Sequence, residues 1–144
     1  MHEVIGDLWD VNAAGVVVAI TTNGMVTRSG KSIMLRGCAR QAAIRYPEIL
    51  KIHGSLLLNH GNHVFDLGRR VVSFPVEEDP YQNPNVRLIE QSCKELVQLV
   101  DYSGWQKVVV PRPGCGGGGL AWSEVKPIVE KYFDDRFYVI SMED

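Results

Sequence analysis

Pro111-Arg112-Pro113-Gly114-Cys115-Gly116-Gly117-Gly118-Gly119-Leu120-Ala121-Trp122 is the stretch of sequence that decides the fold. Five of these residues are glycine, and four of the glycines are consecutive. The stretch follows an apolar run, residues 108–110, and precedes a segment with helical spacing. Because glycine has no side chain, a turn of this composition exposes backbone N–H groups at the start of a helix, where anions bind. The segment therefore predicts a site for a phosphate or a pyrophosphate.

The apolar patterns around this turn alternate between strand spacing and helix spacing. Short apolar runs predict four strands, at residues 4–9, 15–21, 107–110 and 136–140. A hairpin is predicted for residues 63–67 and 71–76, joined by Gly68, Arg69 and Arg70. Helical spacing predicts three main helices: residues 37–46, a helix capped by Asn85, and a helix that starts near Ser123. Together, these strands and helices predict an α/β fold, a three-layer sandwich with a mixed sheet of about six strands.

Length and composition narrow the class of protein. A chain of 144 residues can form one hydrophobic core, so we expect a single domain over residues 1–144. The formal net charge of −2 gives no basic field for nucleic acid, and no apolar run approaches the roughly 20 residues that span a bilayer. The sequence shows no signal-peptide pattern. Its three cysteines do not have the spacing of a metal site; they are Cys38, Cys93 and Cys115. We expect a cytoplasmic monomer that needs no membrane, metal or cofactor.

A second glycine-containing loop, residues 21–37, also joins a buried strand to a helix. Because ligands of α/β folds collect at the carboxyl ends of strands, this loop and residues 111–122 are the two candidate binding loops. Asn23 stands at the strand end, where its amide could bind a sugar hydroxyl or stabilise a turn before Gly24. Asp7 follows the first strand pattern and could accept a hydrogen bond from an exocyclic amine or cap a local turn.

Other motifs in the sequence do not match the pattern of a known phosphate-binding, metal-binding or nucleophilic site. Gly30-Lys31-Ser32 lacks the glycine that a phosphate-binding P-loop has five residues earlier, where this chain has Met25. His53, His60 and His63 lie near one another in sequence, but no other histidine or cysteine has the spacing of a zinc site. We expect Cys115 to pack within its loop rather than to act as a nucleophile.

The order and spacing of four segments resemble the macrodomain family, which binds ADP-ribose. Gly6-Asp7-Leu8 is similar to the opening element of that family, and the strand ending at Asn23 is similar to its strand beside the distal ribose. The segment Met34-Leu35-Arg36-Gly37-Cys38-Ala39 resembles the first ligand loop, although Leu35 replaces the usual glycine. The stretch quoted at the outset resembles the pyrophosphate loop. The resemblance is greatest to the branch of the human terminal ADP-ribose glycohydrolase and the bacterial DNA ADP-ribosylation antitoxins.

The resemblance implies where each part of ADP-ribose would bind. Asp7 would accept from the adenine amine beside the N–H of Leu8, and Asn23 would hold the distal ribose. Gly37 and Cys38 would close the first loop over the pyrophosphate. The full implied set of ligand-binding residues is Asp7, Leu8, Asn23, Met34, Arg36, Gly37, Cys38, Pro113, Gly114, Cys115, Gly116, Gly117, Gly118, Gly119 and Leu120. The candidates for the adenine face are Tyr138, Ser141 and Met142.

The same resemblance implies a mechanism of hydrolysis that this sequence does not match. Members of the branch use a lysine and usually an aspartate, and at the positions matched to them this chain has Ala43 and Gly118. The loop side chains that offer donors or weak acid–base chemistry are Asn23, Arg36, Ser32 and Cys115, and of these Asn23 and Arg36 are the catalytic candidates. We therefore predict a reader or sequestering protein for ADP-ribose, free or attached to a protein or nucleic acid. The alternatives are a hydrolase of an ADP-ribose derivative, namely a glycohydrolase or an ADP-ribose 1″-phosphate phosphatase, and an interaction module without a nucleotide.

Overall fold

A computed structural model describes residues 1–117 and 119–142 of the chain. Its strands are β1 (His2–Ile5), β2 (Val17–Thr22), β3 (Phe65–Asp66), β4 (Val71–Pro75), β5 (Val108–Pro111) and β6 (Phe137–Ser141). They form one sheet in the order β1-β6-β5-β2-β4-β3. The β3–β4 pair is antiparallel and the other neighbouring strands are parallel, so the predicted mixed sheet of six strands is confirmed.

Helices cover both faces of this sheet. They are α1 (Leu8–Ala13), α2 (Gly37–Arg45), α3 (Ile49–His60), α4 (Val86–Ser103) and α5 (Trp122–Glu130). Along β2, Val18 and Ile20 pack into the core beneath α1, α2 and α3, whereas Val17 and Ala19 pack into the core beneath α4 and α5. A strand that is buried on both faces is continuously apolar, which explains the unbroken run in β2. The predicted three-layer sandwich is confirmed.

Local capping sets where the helices begin. The side chain of Asn85 accepts hydrogen bonds from the N–H groups of Arg87 and Leu88 at 2.9 and 3.3 Å, which confirms the predicted N-cap of α4. The helix ends at Gly104, whose φ of 72° is the left-handed conformation that a helix C-terminus favours.

The structure corrects two parts of the secondary-structure prediction. The predicted strand at residues 4–9 ends at Ile5, because Asp7 caps α1 and turns Leu8 and Trp9 into a helix. Helix α3 was not predicted, since Gly54 interrupts its pattern. That glycine is required by packing: a Cβ at position 54 would fall on the backbone carbonyl of Gly30 in the first loop.

The β3–β4 hairpin confirms the predicted turn and shows how it is held. Arg69 and Arg70 adopt φ values of 57° and 55°, a turn conformation that usually selects asparagine and glycine. The buried amide of Asn12 donates to both of their carbonyl groups, at 3.3 and 3.1 Å. Arg69 also contacts Glu48 at 3.0 Å, whereas the side chain of Arg70 has no hydrogen bond or ion pair to a described residue.

Candidate functional site

A cleft of about 1130 Å³ lies at the carboxyl ends of the parallel strands and brings the two predicted loops together. Of the predicted site residues, those lining it are Asp7, Leu8, Asn23, Met34, Arg36, Gly37, Cys38, Gly114, Cys115, Gly116, Gly117, Gly119 and Leu120. Pro113 is buried and does not line the cleft, and Gly118 lies outside the described residues. A smaller cavity, of about 460 Å³, lies at the amino ends of β2, β4 and β5 and is lined by none of the predicted site residues.

The glycine-rich loop is folded by its own backbone hydrogen bonds. Leu120 N–H donates to the carbonyl of Gly114 at 2.7 Å, and Gly119 N–H donates to that of Gly116 at 3.1 Å. A Cβ at position 119 would fall on the Gly114 carbonyl oxygen, and Gly114 and Gly117 have φ values of 71° and 56°, so these three glycines are needed for the turn itself. The N–H groups of Gly116 and Gly117 donate to no described residue, and both residues are exposed and line the cleft.

Two helix N-termini at the cleft have no side-chain cap. Helix α5 follows the glycine-rich loop, and its N-cap, Ala121, has no side chain that could cap it. Helix α2 follows the first loop, and its N-cap, Arg36, makes no capping hydrogen bond. Asp7 caps α1 and Asn85 caps α4, whereas Glu48 at the start of α3 makes no capping hydrogen bond. The positive ends of α2 and α5 are therefore available to an anion in the cleft.

Asn23 orders the first loop. Its side chain is only 6% exposed: Nδ2 donates to the carbonyl of Ile33 at 2.9 Å, and Oδ1 accepts from the N–H of Met25 at 3.0 Å. The sequence left open a turn or a sugar contact, and the structure shows the turn. The second N–H of the Nδ2 group donates to no described residue, and Asn23 lines the cleft.

Asp7 likewise has a structural role. Its Oδ1 accepts from the N–H groups of Trp9 and Asp10 at 2.8 and 3.3 Å, which is the local cap that the sequence left as an alternative. Oδ2 has no hydrogen bond to a described residue, and Asp7 lines the cleft. Ser141 and Met142 line the same end, whereas Tyr138 does not and instead stacks on His2 with ring centroids 4.5 Å apart.

Arg36 joins the first loop to the segment that follows β4. Its Nη2 donates to the carbonyl of Pro80 at 2.6 Å and lies 3.9 Å from Oε1 of Glu77. Glu77 lines the cleft, and its side chain is only 12% exposed. Burial raises the pKa of the Glu77 carboxyl; the charge of Arg36 opposes that shift, and Asp79 adds to it. Sequence reasoning missed Glu77, although a carboxylate directly after a predicted buried strand was a usable signal.

The other reactive side chains contribute little charge to the cleft. Burial raises the pKa of the Cys115 thiol, whose Sγ donates to the Pro113 carbonyl at 3.4 Å. Cys38 Sγ contacts the backbone nitrogen of Thr21 at 3.5 Å. Ala43, the position matched to the branch lysine, packs on the core beneath α2 and does not line the cleft.

The described residues, 1–117 and 119–142, contain neither a metal-binding cluster nor a membrane-spanning helix. No group of three or more histidine, cysteine, aspartate or glutamate side chains in these ranges could hold a metal ion. No helix in the same ranges is long and apolar enough to cross a membrane.

Comparison with known proteins identifies relatives of this architecture. No protein-family model matches the chain. A curated DNA ADP-ribosyl transferase-DNA ADP-ribosyl glycohydrolase fusion protein from Thermosipho africanus is 30% identical over 91 residues, which are 60% of this chain. The chain spans only 24% of the length of that relative.

Solved structures match over almost the whole chain. The macrodomain of Thermus aquaticus DarG has a TM-score of 0.80 and 22% identity, over 99% of this chain and 97% of that one. The macrodomain of Mycobacterium tuberculosis DarG has a TM-score of 0.79 and 24% identity, over 96% and 95%. Thermosipho africanus DarTG in complex with ADP-ribose has a TM-score of 0.78 and 18% identity, over 96% and 40%. The chain therefore has the macrodomain fold, as its sequence motifs indicated.

Proposed function

We propose that the cleft binds ADP-ribose, either free or attached to a target, and that the protein acts as a reader or sequestering protein for it. The observation that carries this proposal is the meeting of two uncapped helix N-termini and a glycine-rich loop in one cleft. A diphosphate has the charge and the acceptor oxygens that such a backbone site selects. The volume of about 1130 Å³ is ample for a dinucleotide-sized ligand.

The polar groups at the two ends of the cleft support one orientation of the ligand. Asp7 Oδ2 offers an acceptor for the adenine amine, and Met142 offers an apolar contact at the same end. The N–H groups of Gly116 and Gly117 would bind the diphosphate, and the distal ribose would lie beside Asn23. The similar Thermosipho structure, solved in complex with ADP-ribose, supports the choice of ligand.

Titration calorimetry with ADP-ribose tests the proposal, with AMP and ribose 5-phosphate as partial ligands. We expect saturable binding of ADP-ribose that is tighter than that of either part, and no heat at millimolar ADP-ribose would contradict it. Gly117→Val should abolish binding, because its side chain would cover the loop N–H groups. Gly104→Val is the matched control: both glycines have a positive φ and open space where a Cβ would lie, but Gly104 lies at the end of α4, outside the cleft.

The target and setting of the protein also belong to this proposal. We propose that the bound ADP-ribose can be carried by a protein or a nucleic acid, and that the chain acts as a cytoplasmic monomer. The free thiols of Cys38, Cys93 and Cys115 support a reducing compartment. Size-exclusion chromatography with light scattering checks the monomer, and a concentration-dependent dimer would contradict it.

A further inference from the structure

The cavity of about 460 Å³ at the amino ends of β2, β4 and β5 lies at the end of these strands opposite the cleft. Its volume is within the range of about 300–1,000 Å³ that is usual for small-molecule sites. The polar and aromatic side chains that line it are Asp66, Arg70, Trp105, Gln106 and Lys107. Among the described residues, none that lines this cavity also lines the cleft, so the two spaces are separate.

The order of the strands places a cation on each side of the cavity. Arg70 stands directly before β4, and Lys107 stands directly before β5. Strand β2 lies between β4 and β5 and pairs with both of them. Because neighbouring strands lie about 4.8 Å apart, the backbones that carry the two cations are about 10 Å apart. Both long side chains can therefore reach one anionic group that lies between them, over the start of β2.

Neither of these cations is neutralised by a carboxylate of a described residue. The side chain of Arg70 makes no hydrogen bond or ion pair within the part of the chain that the structure describes. Lys107 Nζ lies 4.6 Å from the centroid of the Tyr138 ring, and it has no ion pair to a described residue. By contrast, the neighbouring Arg69 contacts Glu48 at 3.0 Å and does not line the cavity. Two unpaired cations that line one cavity favour an anionic ligand.

The backbone holds Arg70 at the cavity in a strained conformation. Its φ of 55° is in the left-handed region, which is unfavourable for a residue with a long side chain. The conformation is fixed, because the Arg70 carbonyl accepts from the buried amide of Asn12 at 3.1 Å and from Val18 N–H at 3.0 Å. A glycine would form the same turn without strain. Strain that the fold itself does not need is concentrated at binding sites, which favours a role for the arginine side chain in binding.

Trp105 gives the cavity an aromatic wall. The residue is half-buried and packs against the core beneath α4 and α5. Its indole N–H donates to no described residue, whereas the indole N–H groups of Trp9 and Trp122 both donate to side chains. An aromatic ring beside cations is the combination with which proteins bind nucleotides, since the base stacks on the ring and the phosphate binds the cations.

Two further side chains could bind the edge of a base. Asp66 Oδ1 accepts from Gly68 N–H at 2.9 Å, and Oδ2 has no hydrogen bond to a described residue. The Gln106 amide has no partner among the described residues either. The Asp66 carboxylate repels a bare anion but can accept a hydrogen bond from an amino group. The cavity therefore favours a ligand that has both a phosphate and an amino-bearing base over inorganic phosphate.

We propose that this cavity is a second ligand site, which binds a nucleoside monophosphate group. The phosphate lies between Arg70 and Lys107, the base contacts Trp105, and an amino group on the base donates to Asp66. The group is either a free nucleotide or one residue of a nucleic-acid strand, because both present the same base and phosphate. This site does not depend on the proposed binding of ADP-ribose, since it shares none of the described lining residues with the cleft.

Nuclear magnetic resonance of the indole N–H groups shows which space a nucleotide enters. Of the three tryptophans, Trp9 and Trp122 line the cleft and Trp105 lines the cavity. The probes are cytidine 5′-monophosphate, which has an amino-bearing base but no adenine, and a short oligodeoxycytidylate. Each is added in the presence of excess ADP-ribose, which fills the cleft under the proposed function. We expect the Trp105 signal to shift with at least one probe while the other two indole signals stay in place.

A matched pair of variants tests the role of the unpaired arginine. Arg70→Gly should lower the affinity for the bound probe about tenfold or more, because it removes a charged hydrogen-bond donor while relieving the strained φ. Arg69→Gly is the control: it removes the same charge at a φ of 57°, but position 69 does not line the cavity. Its affinity should stay within about twofold of the parent at physiological salt, where exposed charges are screened.

Trp105→Leu tests the aromatic wall and keeps an apolar side chain against the core. This variant should also lower the affinity about tenfold, because it removes the stacking surface for the base. Urea denaturation shows whether each variant folds, and Arg70→Gly is expected to fold at least as stably as the parent. Binding of cytidine 5′-monophosphate alone would identify a free nucleotide as the ligand, and tighter binding of the oligodeoxycytidylate would identify a strand.

Several results would overturn the inference. They are a Trp105 signal that does not shift with either probe at millimolar concentration, shifts confined to Trp9 and Trp122, and equal affinities for the parent and Arg70→Gly. Inorganic phosphate that binds as tightly as cytidine 5′-monophosphate would overturn the assignment to a nucleotide. Failure of ADP-ribose to bind the cleft would contradict the proposed function and leave this inference intact.

Discussion

Asp7 has one role in the fold and one proposed role in ligand binding, which a pair of substitutions can separate. Oδ1 caps α1 through bonds of 2.8 and 3.3 Å, while Oδ2, which has no hydrogen bond to a described residue, is the proposed acceptor for the adenine amine. Asp7→Ala removes both oxygens. Asp7→Asn keeps an oxygen that can cap the helix but puts an N–H₂ group where the second acceptor was. Because an amide N–H₂ cannot accept a hydrogen bond from the adenine amine, this variant should lose the ligand contact alone.

The expected magnitudes follow from these contacts. Helix α1 has only six residues, so loss of its cap should cost about 1 kcal/mol of unfolding free energy, or about 2–4 °C in Tm. Loss of one hydrogen bond between the ligand and the carboxylate should cost about 1–2 kcal/mol of binding free energy, a decrease in affinity of about 5- to 30-fold. Asp7→Ala should show both effects, and Asp7→Asn only the second.

Urea denaturation and titration calorimetry measure the two effects separately. The hypoxanthine analogue of ADP-ribose, which has a carbonyl in place of the exocyclic amine, makes the calorimetry specific for the adenine end. The parent chain should prefer ADP-ribose to this analogue, and Asp7→Asn should lose that preference. If Asp7→Asn bound ADP-ribose as tightly as the parent and kept the preference, Asp7 would be a helix cap only, and the orientation of the ligand would be wrong.

Three further predictions concern the loop, a buried histidine and the hairpin. Gly119→Ala should lower the unfolding free energy by about 1–3 kcal/mol and weaken ADP-ribose binding, because its Cβ would fall on the Gly114 carbonyl. Gly116→Ala is the control: its Cβ would enter open space, so urea denaturation should give the same unfolding free energy as for the parent chain. His53 is 1% exposed, and burial lowers its pKa from 6.5 to about 4. Between these pH values the unfolded chain binds a proton that the folded chain does not bind. The unfolding free energy should therefore fall as the pH falls from about 6.5 to about 4. The total loss of unfolding free energy is about 3 kcal/mol, and in His53→Leu the unfolding free energy should change with pH by that much less. An unchanged dependence on pH in this variant would contradict the role given to His53. Arg70→Gly should raise the unfolding free energy by about 0.5–1 kcal/mol by relieving a φ of 55°, and a destabilised variant would show that the side chain has a partner in solution.

The parts of the fold that could be predicted from sequence are those with local causes. The cap at Asn85 and the glycine-rich turn before α5 depend on residues adjacent in the chain, and both were placed correctly. Helix α3 could not be predicted because Gly54 weakens the pattern, and the reason for a glycine there is a distant backbone, that of Gly30. The need for such a residue is visible only after the chain has folded.

The same distinction applies to the candidate site. The lining residues in the two loops follow recognisable motifs, and most of them do line one cleft. The sequence shows Glu77 directly after a predicted strand but not that it lies beside Asn23, because that position depends on the pairing of β4 with β2, whose sequences do not indicate which strand lies beside which. Pro113 is buried and does not line the cleft, and the motif alone could not show this, because it does not indicate which of its members face the ligand and which face the core.

The pairing of β1 with β6 has a consequence for how the cleft is completed during synthesis. His2 lies opposite Tyr138, so the two strands that meet are separated by nearly the whole chain. Closing a loop of that length carries a high entropic cost, and contacts of such wide sequence separation form slowly. On a ribosome, β1 would pair only after β6 emerges, so the end of the cleft lined by Asp7 and Ser141 would form last. The proposed ADP-ribose site would then be complete only after all six strands have paired, and binding of the ligand would report that the sheet has formed.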